Sequence, residues 1–369
     1  MMELSTPLKS RFSIQGRDFD LMVDTGSSLL WVAETGDTAS CDMPNKLDAN
    51  TVQPYIPQGD QFPPRINGQY ASGTVHGSVY TGKIVDKDHQ FGLVDICDFR
   101  NPEKVDGILG LSRQQWPAVS VKGETLNFDG FLKMFQAQFA HNVLVYTPLT
   151  ANVFIGDWNP DIHKDDYTWA RLVSDTTWSI NGGWTSRDAD RDPEPLLGPM
   201  LVDTGTSTNL ATRARAKAFH ESVNRDDPTA KPFTPCSPPG WEGYELYCAP
   251  CDSAVFDVAF RSVGSDARVS FIAHSLKLSA DGLPVGQCVS ALQGMPPQLE
   301  EAVKPNEFVL GRQFLDSGSI AFDVQGNRIG FFFEAEDGVI MGLTPNGLTS
   351  SFVEQTVLDA WKLTGRVMQ

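Results

Sequence analysis

The sequence is short of positive charge. Over 369 residues, 29 Lys and Arg stand against 46 Asp and Glu, a formal net charge of −17. Such a chain repels phosphate, which argues against nucleic acid and anionic membrane surfaces as partners. The same acidic excess suits a protein that must stay soluble in acid. No run approaches the roughly 18 consecutive apolar residues of a membrane span, so no span is expected. The opening MMELSTPLKSRF has no apolar core, and no signal peptide is expected in it. Asn-x-Ser/Thr acceptors are absent. The six histidines (His76, His89, His141, His163, His220, His274) show no HExxH or other metal-ligand spacing and are expected on surfaces and loops. No GxSxG elbow points to serine catalysis.

Cysteine is also scarce. Six in a chain this long do not make a disulfide scaffold. Four fall between positions 236 and 288, and Cys248-x-x-Cys251 leaves open a zinc or redox pair beside local disulfides, the spacing favouring disulfides.

Apolar residues are plentiful, at 41%, so a sizeable core is expected, and the length suits two domains or one two-lobed body. The texture is β-rich. Apolar runs at 19–23, 29–32, 143–146, 153–155 and 331–333 are separated by Gly, Pro, Asn and Asp. Helical spacing is expected over 128–139 and 213–223, surface loops over 185–199 and 227–240, and a short capped helix over 350–364.

The informative feature is a duplication. Residues 20–32 read DLMVDTGSSLLWV and residues 199–211 read PMLVDTGTSTNLA. A second echo follows each: VDGILGL at 105–111 and FVLGRQF at 308–314. Two patterns recurring in the same order imply two homologous lobes. In each, an apolar strand ends at an Asp and drives a carboxylate toward the interior. Gly26 and Gly205 permit tight turns and close approach, and the Thr25 and Thr204 hydroxyls can bond across to the opposite loop. About a pseudo-twofold axis, Asp24 and Asp203 would face each other and share one proton, because two adjacent carboxylates resist joint ionisation. One can take a proton from water while the other donates to a carbonyl oxygen, which is how an amide is hydrolysed without a covalent intermediate.

At these residues the sequence resembles the pepsin-like aspartic proteases, a family that is itself the standard example of such a split carboxyl pair. The resemblance runs from about Phe12 to Phe333. It implies an all-β fold of two pseudo-twofold lobes with a cleft between them, divided as 1–165, 166–335 and a partly helical extension at 336–369. It implies that Asp24 and Asp203 are the catalytic pair, braced by Thr25 and Thr204. Ser27 and Thr206 would bond the outer carboxylate oxygens, and Gly26 and Gly205 would lie close to the water. In QYASGTVHG at 69–77, Tyr70 matches the flap tyrosine, and Trp31 the tryptophan whose N–H reaches it. Ala71, Ser72, Gly73 and Thr74 would form the inner edge of the flap. Met22, Phe99, Val105 and Ile108 would line the pocket before the scissile bond. The resemblance pairs Cys251 with Cys288, which leaves Cys236–Cys248 and Cys41–Cys97.

The implied function is an aspartic endopeptidase of acidic optimum, acting on extended polypeptides with apolar side chains beside the cleaved bond. No metal or organic cofactor is implied. Pepstatin-type inhibitors are expected to bind, the chain is expected to be a monomer, and its location is expected to be secreted or an acidic vacuole or lysosome. The alternatives are a catalytically silent member of the fold that binds peptides or inhibits, and a carboxylate-pair glycosidase, against which the symmetric Gly-flanked loops argue. Four departures stand out. Ile14-Gln15-Gly16-Arg17 replaces the family's Gly-x-Pro type turn with little before it, so the first strand of the interlobe sheet is expected to be short or missing, and no propeptide is recognisable. Ala71 replaces a flap glycine. Arg312 stands where an acidic or small residue is common, which favours ionisation of the pair if it lies near Asp203. Residues 336–369 extend past the family's usual end.

Overall fold

The computed structural model describes residues 9–332 except 37–39, 71–72, 100–103, 137–139, 148–151, 187–197, 227–232, 238–243, 251–254, 262–265, 273–285, 291 and 316–317. It is a two-lobed, strand-rich fold, and the sequence duplication reappears as a duplicated strand plan.

In the N-terminal half, Arg17–Asp24 runs parallel to Gly107–Gly110, with Val23 opposite Leu109 and Asp24 opposite Gly110. Gly107–Gly110 then pairs antiparallel with Leu30–Ala33. In the C-terminal half, Gly198–Val202 runs parallel to Phe308–Leu310, which pairs antiparallel with Asn209–Ala211. Each lobe therefore slots a later strand between the two arms of its Asp-Thr-Gly turn. These strands read as continuous apolar runs because both faces are covered. Leu21, Val23, Val32 and Leu109 are buried in one lobe, and Met200, Val202 and Leu310 in the other. Each such side chain contributes about 1.5–3 kcal/mol relative to exposure, which holds the loops at their ends against a rigid floor.

A five-stranded sheet joins the lobes. Its order is Asn152–Ile155, Val143–Thr147, Ser319–Asp323, Arg328–Phe332, Thr168–Arg171, with Val143–Thr147 from the first half antiparallel to Ser319–Asp323 from the second. The largest hydrophobic cluster runs through both halves, from Phe19 and Leu109 to Trp178, Phe308 and Phe322. A second cluster gathers Trp31, Ile66, Val75 and Ile108 beneath the hairpin of Arg65–Tyr70 and Gly73–Ile84.

Several local expectations change. The helix expected over 128–139 is shorter. Phe128 closes the strand Thr125–Phe128, opposite Trp116 and stacked on it at 4.6 Å, and the helix runs Phe131–Phe135. Aromatic pairing across a hairpin outweighs the helical spacing of the phenylalanines, and Gly130 starts the helix late. The helix expected from Arg213 extends to Asp226. The expected loops give up their ends to the strands Ser179–Ser186, Gly198–Val202 and Thr234–Cys236, while 187–197 and 350–364 lie outside the described residues.

His220 is not a surface residue: it is 1% exposed on the inner face of Arg213–Asp226. It is stacked on Tyr247 at 3.9 Å, with Nδ1 against the Ala216 carbonyl and Nε2 against the Ser290 hydroxyl.

Two disulfides are Cys41–Cys97 and Cys236–Cys248. Cys248 is thereby spent, which removes the zinc reading of Cys248-x-x-Cys251. Cys288 is disulfide-bonded, and Cys251, its expected partner, lies outside the described residues. No helix among the described residues is long and apolar enough to cross a membrane.

Candidate active site

The two Asp-Thr-Gly turns meet where the lobes meet. Thr25 donates its hydroxyl to the Val202 carbonyl at 2.9 Å, and Thr204 donates its hydroxyl to the Val23 carbonyl at 2.9 Å. Each threonine oxygen in turn accepts the other's backbone N–H, at 3.1 and 3.0 Å. Both threonines are fully buried. A buried hydroxyl with both its donor and acceptor capacity used is costly to disturb, so this crossed pair fixes one loop against the other.

The carboxylates follow from that crossing. Asp24 Oδ1 accepts the N–H of Gly26 at 2.8 Å and that of Ser27 at 3.3 Å, and Oδ2 accepts the Ser27 hydroxyl. Asp203 Oδ1 accepts the N–H of Gly205 at 2.8 Å, and Oδ2 accepts the Thr206 hydroxyl at 2.6 Å. Each carboxylate is packed against the glycine of the opposite loop: a Cβ on Gly26 would run into the Asp203 carboxylate, and one on Gly205 into that of Asp24. At these two positions the space a side chain would need is taken by the facing carboxylate. The two carboxyls border one spot: a Cβ on Gly205 would run into Asp24 Oδ1 and lie 3.2 Å from Asp203 Oδ1.

Asp24 and Asp203 are 4% and 8% exposed, so solvent does little to screen them. The Asp24 carboxyl is pushed up from its ordinary value, first by burial and then by the charge of Asp203, against the opposing pull of the Ser27 hydroxyl and the Gly26 N–H. Asp24 therefore holds its proton to a higher pH than an isolated carboxyl does.

The expected flap residues Tyr70, Gly73 and Thr74 lie on the hairpin of Arg65–Tyr70 and Gly73–Ile84, with Tyr70 opposite Gly73. Gly73 has φ of 139°, a backbone conformation that favours glycine. The Tyr70 hydroxyl accepts the Trp31 indole N–H at 3.0 Å and also reaches Ser27. Burial, then the Asp24 charge, pushes the phenol up, so it stays neutral. The indole thus holds a tyrosine over the Asp24 turn.

The other expected residues are placed as follows. Met22 sits opposite Ile108 in the strand pair, half-buried against the cluster that includes Trp31, Tyr70 and Ile108. Val105 and Ile108 are buried. Thr74 lies on the strand Gly73–Ile84, and Phe99 ends Lys87–Phe99 opposite Gly73. Ala71 and Ser72 lie outside the described residues.

Two supports were not expected from the sequence. Asn209 Oδ1 accepts the Gly311 N–H at 2.9 Å, tying the second turn to Phe308–Leu310. Asp106 binds the backbone N–H of Asp20 and of Asn45, at 2.8 and 2.9 Å. Asn209 could have been found as a lone amide within an apolar strand, because a buried amide must find partners. Arg312 is 1% exposed and donates its backbone N–H to Thr206 of the Asp203 turn at 2.8 Å. No group of three or more His, Cys, Asp or Glu among the described residues could hold a metal ion.

The profile of the eukaryotic aspartyl protease family matches residues 14–333. Cathepsin D of Clupea harengus is 24% identical over 336 residues, which cover 85% of this chain and 77% of that protein. Pepsin F of Oryctolagus cuniculus is 26% identical over 327 residues, covering 85% and 77%. The crystal structure of an aspartic proteinase from Irpex lacteus superimposes with a TM-score of 0.63 at 14% identity, covering 90% of this chain and 96% of that one, a likeness of fold. A twice-built Asp-Thr-Gly turn and a family match across nearly the whole sequence point the same way: this chain belongs to the eukaryotic aspartyl protease family and is a hydrolase of the aspartic protease type.

Proposed function

We propose that the chain is an endopeptidase that hydrolyses internal peptide bonds with a water held between Asp24 and Asp203. The observation that carries this reading is the reciprocal packing of each carboxylate against the glycine of the other turn, with the threonines crossed beneath. The ionised carboxyl takes a proton from water as its oxygen attacks the carbonyl carbon. The protonated carboxyl gives its hydrogen to the carbonyl oxygen. On collapse of the tetrahedral diol the first carboxyl passes its proton to the departing amine and the second takes one from a diol hydroxyl, so one water is consumed and the pair regains its single proton.

The preference for acid follows from that proton. Raising the pH strips it, and burial of Asp24 moves this loss upward. Tyr70 over the Ser27 turn supplies a lid that excludes water and orders an extended polypeptide. Met22, Val105 and Ile108 line the pocket before the scissile bond, which prefers apolar side chains, and Gly73 and Thr74 run along the inner edge of the flap. The lobes divide near residue 165, the enzyme works as a monomer without a cofactor, and it acts outside the cell or in an acidic compartment. The interlocked Asp24 and Asp203 turns with Tyr70 held by Trp31 favour this reading over the silent alternative.

The test is cleavage of denatured haemoglobin or casein between pH 2 and 7, with and without pepstatin, beside Asp203→Asn. Pepstatin-sensitive cleavage that falls by at least about 10³-fold in the variant is expected. No cleavage at any pH would overturn the reading in favour of a silent binding protein, and sugar release without peptide cleavage would support the glycosidase.

A further inference from the structure

The crossed threonines are one tie between the catalytic turns. A second runs through a residue the chemistry does not use. The backbone carbonyl of Asp24 accepts the Leu111 N–H at 2.7 Å. The Leu111 carbonyl accepts the indole N–H of Trp178 at 2.8 Å. The Trp178 carbonyl accepts the Val202 N–H at 2.9 Å. The Val202 carbonyl accepts the Thr25 hydroxyl at 2.9 Å, which closes the ring beside Asp24. One indole therefore connects the loop behind Asp24 to the strand that delivers Asp203.

The ring is clamped. Trp178 is 0% exposed, with Phe322 edge-on at 5.1 Å and the Arg113 guanidinium over its face at 5.4 Å. Arg113 donates to the Ser174 carbonyl at 3.1 Å and to Asn327 Oδ1 at 2.7 Å, and Ser112 donates its hydroxyl to the Thr176 carbonyl at 3.2 Å. Residues 111–113 and 174–178 are thus laced together across the lobes.

Among the described residues the tie has no mirror image. Ser179 stands opposite Leu201 and Lys9 opposite Met22, each partner lying two residues before a catalytic aspartate. The counterpart of Trp178 is therefore position 8, a leucine outside the described residues, whose side chain carries no donor.

We propose that Trp178 is a positioning residue of the reaction: its N–H holds the Leu111 carbonyl and sets the distance of the Asp24 turn from Asp203. This rests on the endopeptidase reading. The burial of the ring alone would serve the core. The hydrogen bond adds register, since a buried indole without an acceptor is unfavourable and the available acceptor belongs to the catalytic loop.

The experiment uses the full chain with Trp178 replaced by 3-benzothienylalanine, which keeps the shape of the ring and has sulfur in place of N–H, beside Trp178→Phe. Active sites are counted by pepstatin titration. The expected result is a kcat per titrated site lower by roughly tenfold, with KM changed by less than about twofold. The bell of kcat against pH should narrow, because carboxyls held less closely couple less. A kcat per site and a pH profile that superimpose on the parent overturn the proposal, even if both variants melt earlier or yield fewer titratable sites. If Trp178→Phe does not fold, the isosteric replacement decides alone. A parent chain that neither cleaves polypeptide nor binds pepstatin overturns the endopeptidase reading and the proposal with it.

Discussion

Asp24 and Asp203 each end an apolar strand, take an N–H from the glycine two residues on, and take a hydroxyl from the residue three on. One layer further out the two turns part company. Asp24 stands opposite Gly110 and is followed across the sheet by Leu111, whereas the equivalent position behind Gly311 holds Arg312. Both side chains are buried, one apolar and one cationic. The Leu111 N–H goes to the Asp24 carbonyl and the Arg312 N–H to that of Thr206. The duplicated backbone thus builds a symmetric frame, and the side chains packed behind the two turns differ.

The first way to break this comparison is to attack the symmetric part. Gly205→Ala and Gly26→Ala each push a methyl into the facing carboxylate, so both should lower kcat by about 10²-fold without unfolding the chain, read by activity and circular dichroism. If only one did so, the reciprocal packing would not govern the reaction.

A second test sets the cleft against the helix Arg213–Asp226. Asp24 is raised, so the folded chain holds its proton more tightly than the unfolded chain, and this contribution to stability is lost as pH rises. His220 is lowered to about 4, chiefly by burial, and is neutral in the fold, its Nδ1–H donated to Ala216 and its Nε2 accepting from Ser290. Phe219, Phe233 and Tyr247 pack around it, and the nearby charges are Glu221 and Glu245, which act on Tyr247. The unfolded chain takes up the histidine proton first, so stability falls as pH drops from about 6.5 to about 4, by up to about 3 kcal/mol. Urea denaturation at pH 7 and pH 4 should show a smaller acid loss for His220→Gln than for the parent. An equal loss would place the acid weakness elsewhere.

The smallest effect belongs to Arg312→Ala. Removing a cation on the Asp203 side should move the limbs of the pH–rate profile upward by less than about one unit, since a neighbouring positive charge favours the ionised pair. A profile that overlays the parent would make the Leu111 and Arg312 difference one of packing alone.

Much of this was legible because the chemistry is concentrated in short motifs. Two Asp-Thr-Gly turns at the ends of apolar runs mark their own carboxylates, hydroxyls and obligatory glycines, and Tyr70 with Trp31 follows from the pattern at 69–77. Phe128 and His220 were misjudged from local spacing, because Phe128 obeys a cross-strand ring and His220 obeys a pocket assembled from residues up to 70 positions away. Asn209 was marked only as a lone amide in an apolar strand, and Asp106 and Arg113 left no clear signal, since a polar side chain announces a role only once its partners are known.

By itself, the amino-acid order determined that there are two related halves, each with an acid on a tight glycine turn, because motif and hydrophobic run are local properties. Tertiary structure alone decided that the crossed hydroxyls of Thr25 and Thr204 meet the carbonyls of Val202 and Val23, and that Trp178 reaches the backbone of Leu111. Those contacts end on main-chain carbonyls, which every residue carries, so only the packing of one lobe on the other selects which carbonyl is met.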